Sequence, residues 1–414
     1  MERGDRDRAR ERESERKGLR RRGRGKAAQG ASPRVVGCGY IRAVPHVRQL
    51  VAPVVAVLLA APAVSAQPRG GGPAATASEA ARPARARALP FAAAVVPGVL
   101  VHGSGHFAAG DRSVARRLLV MEGIGLGMVA AGGVPLYLTG ASRHYAGPQV
   151  ALIVSGIGVF GMSWLADLYG AASGGLDAAR PDPGAPMEAE AGYGYVYDPR
   201  FDYRQFAVVS GALRLGAYRF APSAWVALDD DNQRLRLEAA RRLMGTRSGH
   251  ATGDASTLEV TAALTHHRYP GDEFAVSTGE AALAGRLDMA RLGSSLAGSF
   301  AEMSLGLGAE LTSYYAPGAG ADLGELLLVR FGYGVIVGRP GELHGEATLY
   351  YDHRRDTFTG GISPGTGPGS GFAGFFGADL LLYIGARWGV HAGFEQGAAR
   401  VAHLGLVMRM GESR

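Results

Sequence analysis

Histidine and carboxylate side chains stand near one another at three kinds of place in this 414-residue chain. His102 and His106 are four residues apart, the spacing at which two imidazoles on one helix face can share a metal ion. Gly103, Ser104 and Gly105 between them disfavour a rigid helix, so the pair reads as a turn entering a membrane. Asp229-Asp230-Asp231-Asn232 gathers the hard oxygens that calcium prefers, but without the alternating spacing of a calcium loop. It reads as an acidic hairpin tip. The third set is larger and follows a period of two: Glu302 and Glu310; Glu342, His344 and Glu346; Arg387, His391 and Glu395; His403 and Arg409. A carboxylate beside a histidine can orient it as a base for a serine. The same residue types also pair to neutralise one another inside a narrow barrel. The second reading is preferred, so these ten residues are expected to face a lumen, with no catalytic, cofactor or metal role. No lysine occurs after Lys26, which excludes a phosphate-binding P-loop.

Such side chains need strands to position them. Met303, Leu305, Leu307, Ala309 and Leu311 alternate with Glu302, Ser304, Gly306, Gly308 and Glu310. Ala402, Leu404, Leu406, Met408 and Met410 alternate in the same way with His403, Gly405 and Arg409. Twelve strands are predicted: 192–197, 206–219, 224–229, 233–243, 257–267, 274–289, 296–315, 325–338, 342–354, 371–385, 386–396 and 400–410. The even number lets both ends of the sheet lie on one side, and ten strands is the alternative. The predicted fold is thus an antiparallel membrane β-barrel of about twelve strands, preceded by a two-helix hydrophobic hairpin.

The hairpin is read from two apolar runs, 118–138 and 149–166, with Glu122 the one charge inside them. Gly123 and Gly127, continued by Ala131, supply a GxxxG contact face against Ala151 and Ser155. Further upstream, residues 1–66 hold 15 basic and 6 acidic residues, a net of +9, within a chain whose total is +7. The remainder is close to neutral at −2, so the pI of 9.6 is no argument for a nucleic-acid partner. Arg42 and Arg48, the apolar run 50–64 and the small residues at 64–66 read as a signal peptide cut between Ala66 and Gln67. The single cysteine, Cys38, precedes that cut. The predicted organisation is leader 1–66, linker 67–90, hairpin 91–170, linker 171–191 and barrel 192–412.

On these features, residues 192–412 resemble the Gram-negative outer-membrane β-barrels. The chain closes on Met408-Arg409-Met410-Gly411-Glu412-Ser413-Arg414, without the terminal aromatic usual in that class. Residues 97–111, from Pro97-Gly98 through His102, Gly103, Gly105, His106 and Phe107 to Asp111, resemble the PG-x-G-Q/H-x-Y-x-G opening of small bacterial membrane-hairpin domains. Three residues are extra after Pro-Gly, and Phe107 replaces the tyrosine. The first resemblance implies an outer-membrane location, with membrane lipids and the outer-membrane assembly machinery as partners. The second implies membrane placement only. The function expected is a non-enzymatic envelope barrel with a structural or narrow small-solute passage role. Two alternatives are a barrel hydrolase acting on lipid or peptide, and an inner-membrane protein carrying a periplasmic β-domain.

Overall fold

The computed structural model describes residues 85–140, 143–173, 184–198, 204–245, 254–269, 273–315, 318, 320–338, 343–354, 357–359 and 374–411. The signal-peptide reading at Ala66 and Gln67, and Glu342, lie outside the described residues.

Among the described residues four helices precede the sheet: α1 (Arg85–Val95), α2 (Ser104–Ala108), α3 (Arg112–Leu138) and α4 (Arg143–Ser173). Asp111 caps α3, its side chain accepting from the Val114 N–H. At 1.5 Å per residue α3 is about 40 Å long, enough to cross a hydrocarbon layer of about 30 Å. α3 and α4 pack antiparallel, but not through Gly123 and Gly127, whose faces are open. The crossing uses Gly125 and Gly156 instead: a Cβ at Gly125 would sit 2.8 Å from the Gly156 carbonyl oxygen, and one at Gly156 would sit 2.6 Å from the Gly125 oxygen. Gly123 and Gly125 lie about 200° apart around the helix, so only one of them can face the partner. Ala151 and Ser155 are buried, as the small-residue argument requires.

Twelve strands follow: β1 (Met187–Tyr197), β2 (Gln205–Leu215), β3 (Tyr218–Ala227), β4 (Gln233–Met244), β5 (Thr257–Tyr269), β6 (Phe274–Asp288), β7 (Ser299–Tyr314), β8 (Ala321–Gly338), β9 (Leu343–Asp352), β10 (Phe375–Ile384), β11 (Trp388–Gln396) and β12 (Arg400–Met410). Each pairs antiparallel with its chain neighbours, and β1 pairs with β12 to close the barrel. The ten-strand alternative is excluded. β1 starts at Met187, inside the segment read as a linker, because Met187-Glu188-Ala189-Glu190-Ala191 already alternates. The β2–β3 turn falls at Gly216, in left-handed conformation (φ 64°), earlier than the composition implied. Pro222 lies within β3 rather than before it. The β2–β3 ladder is interrupted between Ser223 and Phe220, where a proline lacks the N–H to continue it.

Polarity sorts the two faces. Val209, Leu213, Leu215, Leu235, Leu237, Leu264, Leu404 and Leu406 point outward and are exposed. In a membrane such a row faces lipid. The hairpin covers part of this outer wall. Leu118, Met128, Val159, Met162 and Ala166 pack with Ala301 and Met303 of β7 and Tyr333 of β8. A side chain at Gly158 would collide with the Phe331 ring. The connection between β6 and β7, which holds two single helical turns at Met289–Arg291 and Ser294–Leu296, grips the base of the hairpin. Arg117 donates to the Leu292 carbonyl oxygen (2.6 Å) and Tyr169 to the Ala297 carbonyl oxygen (2.9 Å). Hairpin and barrel wall lie side by side, so the hairpin is not an anchor standing apart from the β-domain.

Candidate functional site

The inward rows of the strands meet in a lumen lined by charge. One cavity of about 500 Å³ is bounded by Arg236, Glu238, Glu280, Arg286, Arg330 and Glu346, among others. The charges are paired across strands. Arg286 donates to both carboxylate oxygens of Glu346 (2.9 and 2.6 Å) and lies 3.8 Å from Glu302. Arg236 bridges Glu238 (3.1 Å) and Glu280, and Arg354 reaches Glu280 from the far side at 2.6 Å. In this confined space, two-point guanidinium–carboxylate contacts fix the orientation of both groups.

Towards the end of the barrel that carries both sheet termini, Arg409 donates to Glu188 (3.1 Å) and lies over the Tyr383 ring at 3.2 Å. The Tyr383 hydroxyl donates to the same Glu188 oxygen (3.4 Å), and His344 stacks on Tyr383. At the opposite end the lumen changes character. Phe206, Trp225 and Phe358 form an aromatic cluster, with ring centroids 5.0 to 6.0 Å apart. Val196, Val208, Tyr269, Val276 and Val401 complete it. Phe358 belongs to the β9–β10 connection and is folded inward. The neighbouring Thr359 donates to Glu395 (2.6 Å), and its carbonyl oxygen accepts from the Ala398 N–H (2.7 Å). Glu395 also accepts from the Tyr350 hydroxyl at 3.1 Å.

Of the residues singled out from the sequence, Glu302, Glu346, His344, His391, Glu395, His403 and Arg409 lie on inward rows and engage lumenal partners. Glu310 is also on an inward row of β7, opposite Thr278 and Gly324. Arg387 does not belong with them. It lies in the exposed turn between β10 and β11, where β-alternation has stopped. His391 and His403 converge on Glu190, which was missed because its segment was read as linker. Glu190 Oε1 is 3.0 Å from His391 Nδ1 and 3.0 Å from His403 Nε2. The arginines of β2, β3, β6 and β8 and Arg234, Arg236 and Arg242 of β4 were missed as well, although each occupies the polar phase of its strand.

His102 and His106 are fully buried rather than interfacial. The Asp167 carboxylate accepts from the N–H groups of Gly103 (3.0 Å), Gly105 (3.0 Å) and His106 (3.1 Å), and lies 2.7 Å from His106 Nδ1. Glu122 accepts from the His102 N–H (2.8 Å), and His102 Nδ1 lies 2.5 Å from Ser163 Oγ. This polar knot ties the α1–α2 segment to the hairpin. The only sequence signal for it was the presence of Glu122 and Asp167 in otherwise apolar helices. In the acidic tip Asp229 and Asp231 are exposed and Asp230 is half-buried. Asn232 is buried, 3.0 Å from His267 Nε2.

No protein-family model and no curated protein matches this chain. Among solved structures the barrel is similar to the KdgM porin, at 7% identity and a TM-score of 0.32 over 54% of this chain and 99% of that one. It is similar to the NanC porin at 7% identity and 0.33 over 54% and 100%. It is similar to the outer membrane protein Omp33 of Acinetobacter baumannii at 10% identity and 0.26 over 55% and 98%. The strand pairing described above, rather than these scores, carries the assignment: a closed twelve-stranded antiparallel barrel of the outer-membrane type, with two apolar helices before it.

Proposed function

We propose that the protein is a sealed outer-membrane barrel, a non-catalytic envelope component whose lumen admits small polar solutes only when Phe358 is displaced. The observation that carries this reading is the insertion of Phe358 between Phe206 and Trp225 at the end opposite the termini. The longest β-connection, between β9 and β10, lies at that end, as extracellular loops do. Behind the aromatic cluster the chamber holds arginines and carboxylates in near balance, so it favours neither anions nor cations strongly. A barrel of this size is readily filled by its own side chains.

Planar-bilayer recordings of the purified protein test the reading. The wild type is expected to show little or no conductance, and Phe358→Ala to produce discrete openings. Equal, steady conductance in both would overturn it.

One observation supports a second reading as a lipid hydrolase. His266 Nδ1 lies 3.0 Å from Ser277 Oγ on the outer wall, beside an apolar groove of about 870 Å³ lined by Leu235, Leu237, Leu264 and Leu311. A serine beside an imidazole has the first two parts of an acyl-transfer site. Release of fatty acid from phospholipid micelles by the wild type, abolished in Ser277→Ala, would favour this reading over the first.

A further inference from the structure

Three inward-facing groups on adjacent strands have the composition and spacing of metal ligands. Glu190 is on β1, His403 on β12 and His391 on β11, and these strands are neighbours in that order. One ligand atom from each of the three lies within 4.8 Å of the others, and Glu190 Oε1 is 3.0 Å from both His391 Nδ1 and His403 Nε2. The two imidazole rings are 4.8 Å apart and steeply inclined at 77°, so they approach the carboxylate from different directions. Around zinc, with bonds of about 2.0–2.2 Å, tetrahedral ligand atoms stand roughly 3.4 Å apart. Opening the two 3.0 Å contacts by a few tenths of an ångström accommodates an ion.

Two further features separate this arrangement from an ordinary lumenal ion pair. First, His403 is nine-tenths buried and its Nε2 has no hydrogen-bond partner. It approaches Glu190 Oε1 closely but without hydrogen-bond alignment. A buried ring nitrogen that faces a carboxylate at 3.0 Å, beside a second imidazole, has the attributes of a ligand. Second, the surroundings are cleared and braced. His391 stands opposite Gly405, and His403 opposite Gly194 and Gly393. A side chain at Gly405 would strike Glu190 Oε1, and one at Gly192 would lie 3.2 Å from His403 Nε2. Ser210 donates to the other carboxylate oxygen, Oε2, at 2.8 Å, which fixes the group and leaves Oε1 facing the two imidazoles.

We infer that Glu190, His391 and His403 form a lumenal site for a divalent transition metal of the zinc class. Two imidazoles and one carboxylate suit zinc, cobalt, nickel or copper better than calcium or magnesium, which take oxygen ligands. Three protein ligands leave a coordination position for water or a solute, and the His391 side chain is 29% exposed to the lumen. The inference stands whether or not the lumen conducts.

The test uses the full chain in detergent, stripped with chelator and titrated with cobalt(II), then with zinc(II) in competition. The wild type is expected to bind one equivalent of cobalt, with visible absorption bands of a four- or five-coordinate ion that zinc abolishes. Glu190→Gln and His403→Ala should each weaken binding at least 100-fold. Ser210→Ala, which removes only the brace, should weaken it about 10-fold. His266→Ala, on the outer wall, should leave it unchanged. Heat-modifiable electrophoretic migration reports whether each barrel is folded. If Glu190→Gln fails to fold, His391→Ala and Gly405→Ala test the same site from its other members. A folded wild type that gives no cobalt bands, or bands indifferent to Glu190→Gln and His403→Ala, would overturn the inference and leave a hydrogen-bonded triad only.

Discussion

The hairpin and the barrel solve one problem in different ways. Both present apolar surface outward and enclose polar groups, but they distribute the work of satisfying those groups differently. In the hairpin a single carboxylate, Asp167, accepts from three backbone N–H groups and contacts one imidazole, all fully buried. In the lumen several carboxylates are shared between partners, and Arg219, Arg236 and Arg286 each reach two carboxylates. Glu280 serves Arg236 and Arg354, while Arg236 keeps Glu238. Redundancy of the second kind suits a cavity that can admit water. Concentration of the first kind suits a dry helix interface, where a lost acceptor has no replacement.

The sharpest way to break the comparison is Asp167→Ala. It strands three buried donors and should destabilise hairpin docking by roughly 3–5 kcal/mol. Residues 85–173 should become protease-sensitive while the barrel still migrates as a folded species. If hairpin and barrel were lost together at the same urea concentration, the two regions would be one cooperative unit and the contrast would fail. Glu280→Gln is the matched change in the lumen. Because its arginines sit in a hydrated chamber and Arg236 retains Glu238, the expected loss is about 1–3 kcal/mol. Urea titration of heat-modifiable migration measures it. A loss as large as that of Asp167→Ala would show that the lumenal network is not redundant.

The smallest effect lies outside the membrane-spanning segments. Burial raises the Asp254 carboxyl, but its bonds to Arg291 and to Ser256 outweigh burial and hold it below its ordinary 3.8. A group whose folded pKa is depressed adds stability above its unfolded value and loses it as pH falls through the folded one. The Asp254–Arg291 contact is partly exposed, so its contribution is below about 1 kcal/mol. Arg291→Ala should therefore lower stability slightly at neutral pH, and the difference from wild type should shrink as pH falls below the ordinary carboxylate value. A difference that grew as pH fell would contradict the assignment.

Period-two alternation made most of the barrel legible. On β7 and β12 the polar and apolar phases separate cleanly, and the strand count and the inward rows follow from local sequence. Reading failed where alternation was short or masked. Met187–Ala191 follows a Pro- and Ala-rich stretch and was taken for linker, which hid Glu188 and Glu190. Arg387 continues the phase of His391 by counting, although the chain has already turned at Gly385 (φ 67°). Gly123 and Gly127 satisfy a helix-contact motif that the actual crossing angle does not use.

The sequence by itself determined the two faces of the clearly alternating strands such as β7 and β12, because a strand's side chains alternate whatever it pairs with. It determined that two apolar helices precede the barrel, because their composition allows little else. Only the tertiary structure decided who meets whom. Barrel closure sets Glu190 of β1 against His403 and His391, more than 200 residues away in sequence. The inward fold of Phe358 onto Phe206 and Trp225, and the seating of the hairpin on Met303 and Tyr333, are likewise long-range choices. Their physical basis is strand register, shear and shape complementarity, quantities that belong to pairs of elements and that no single segment encodes.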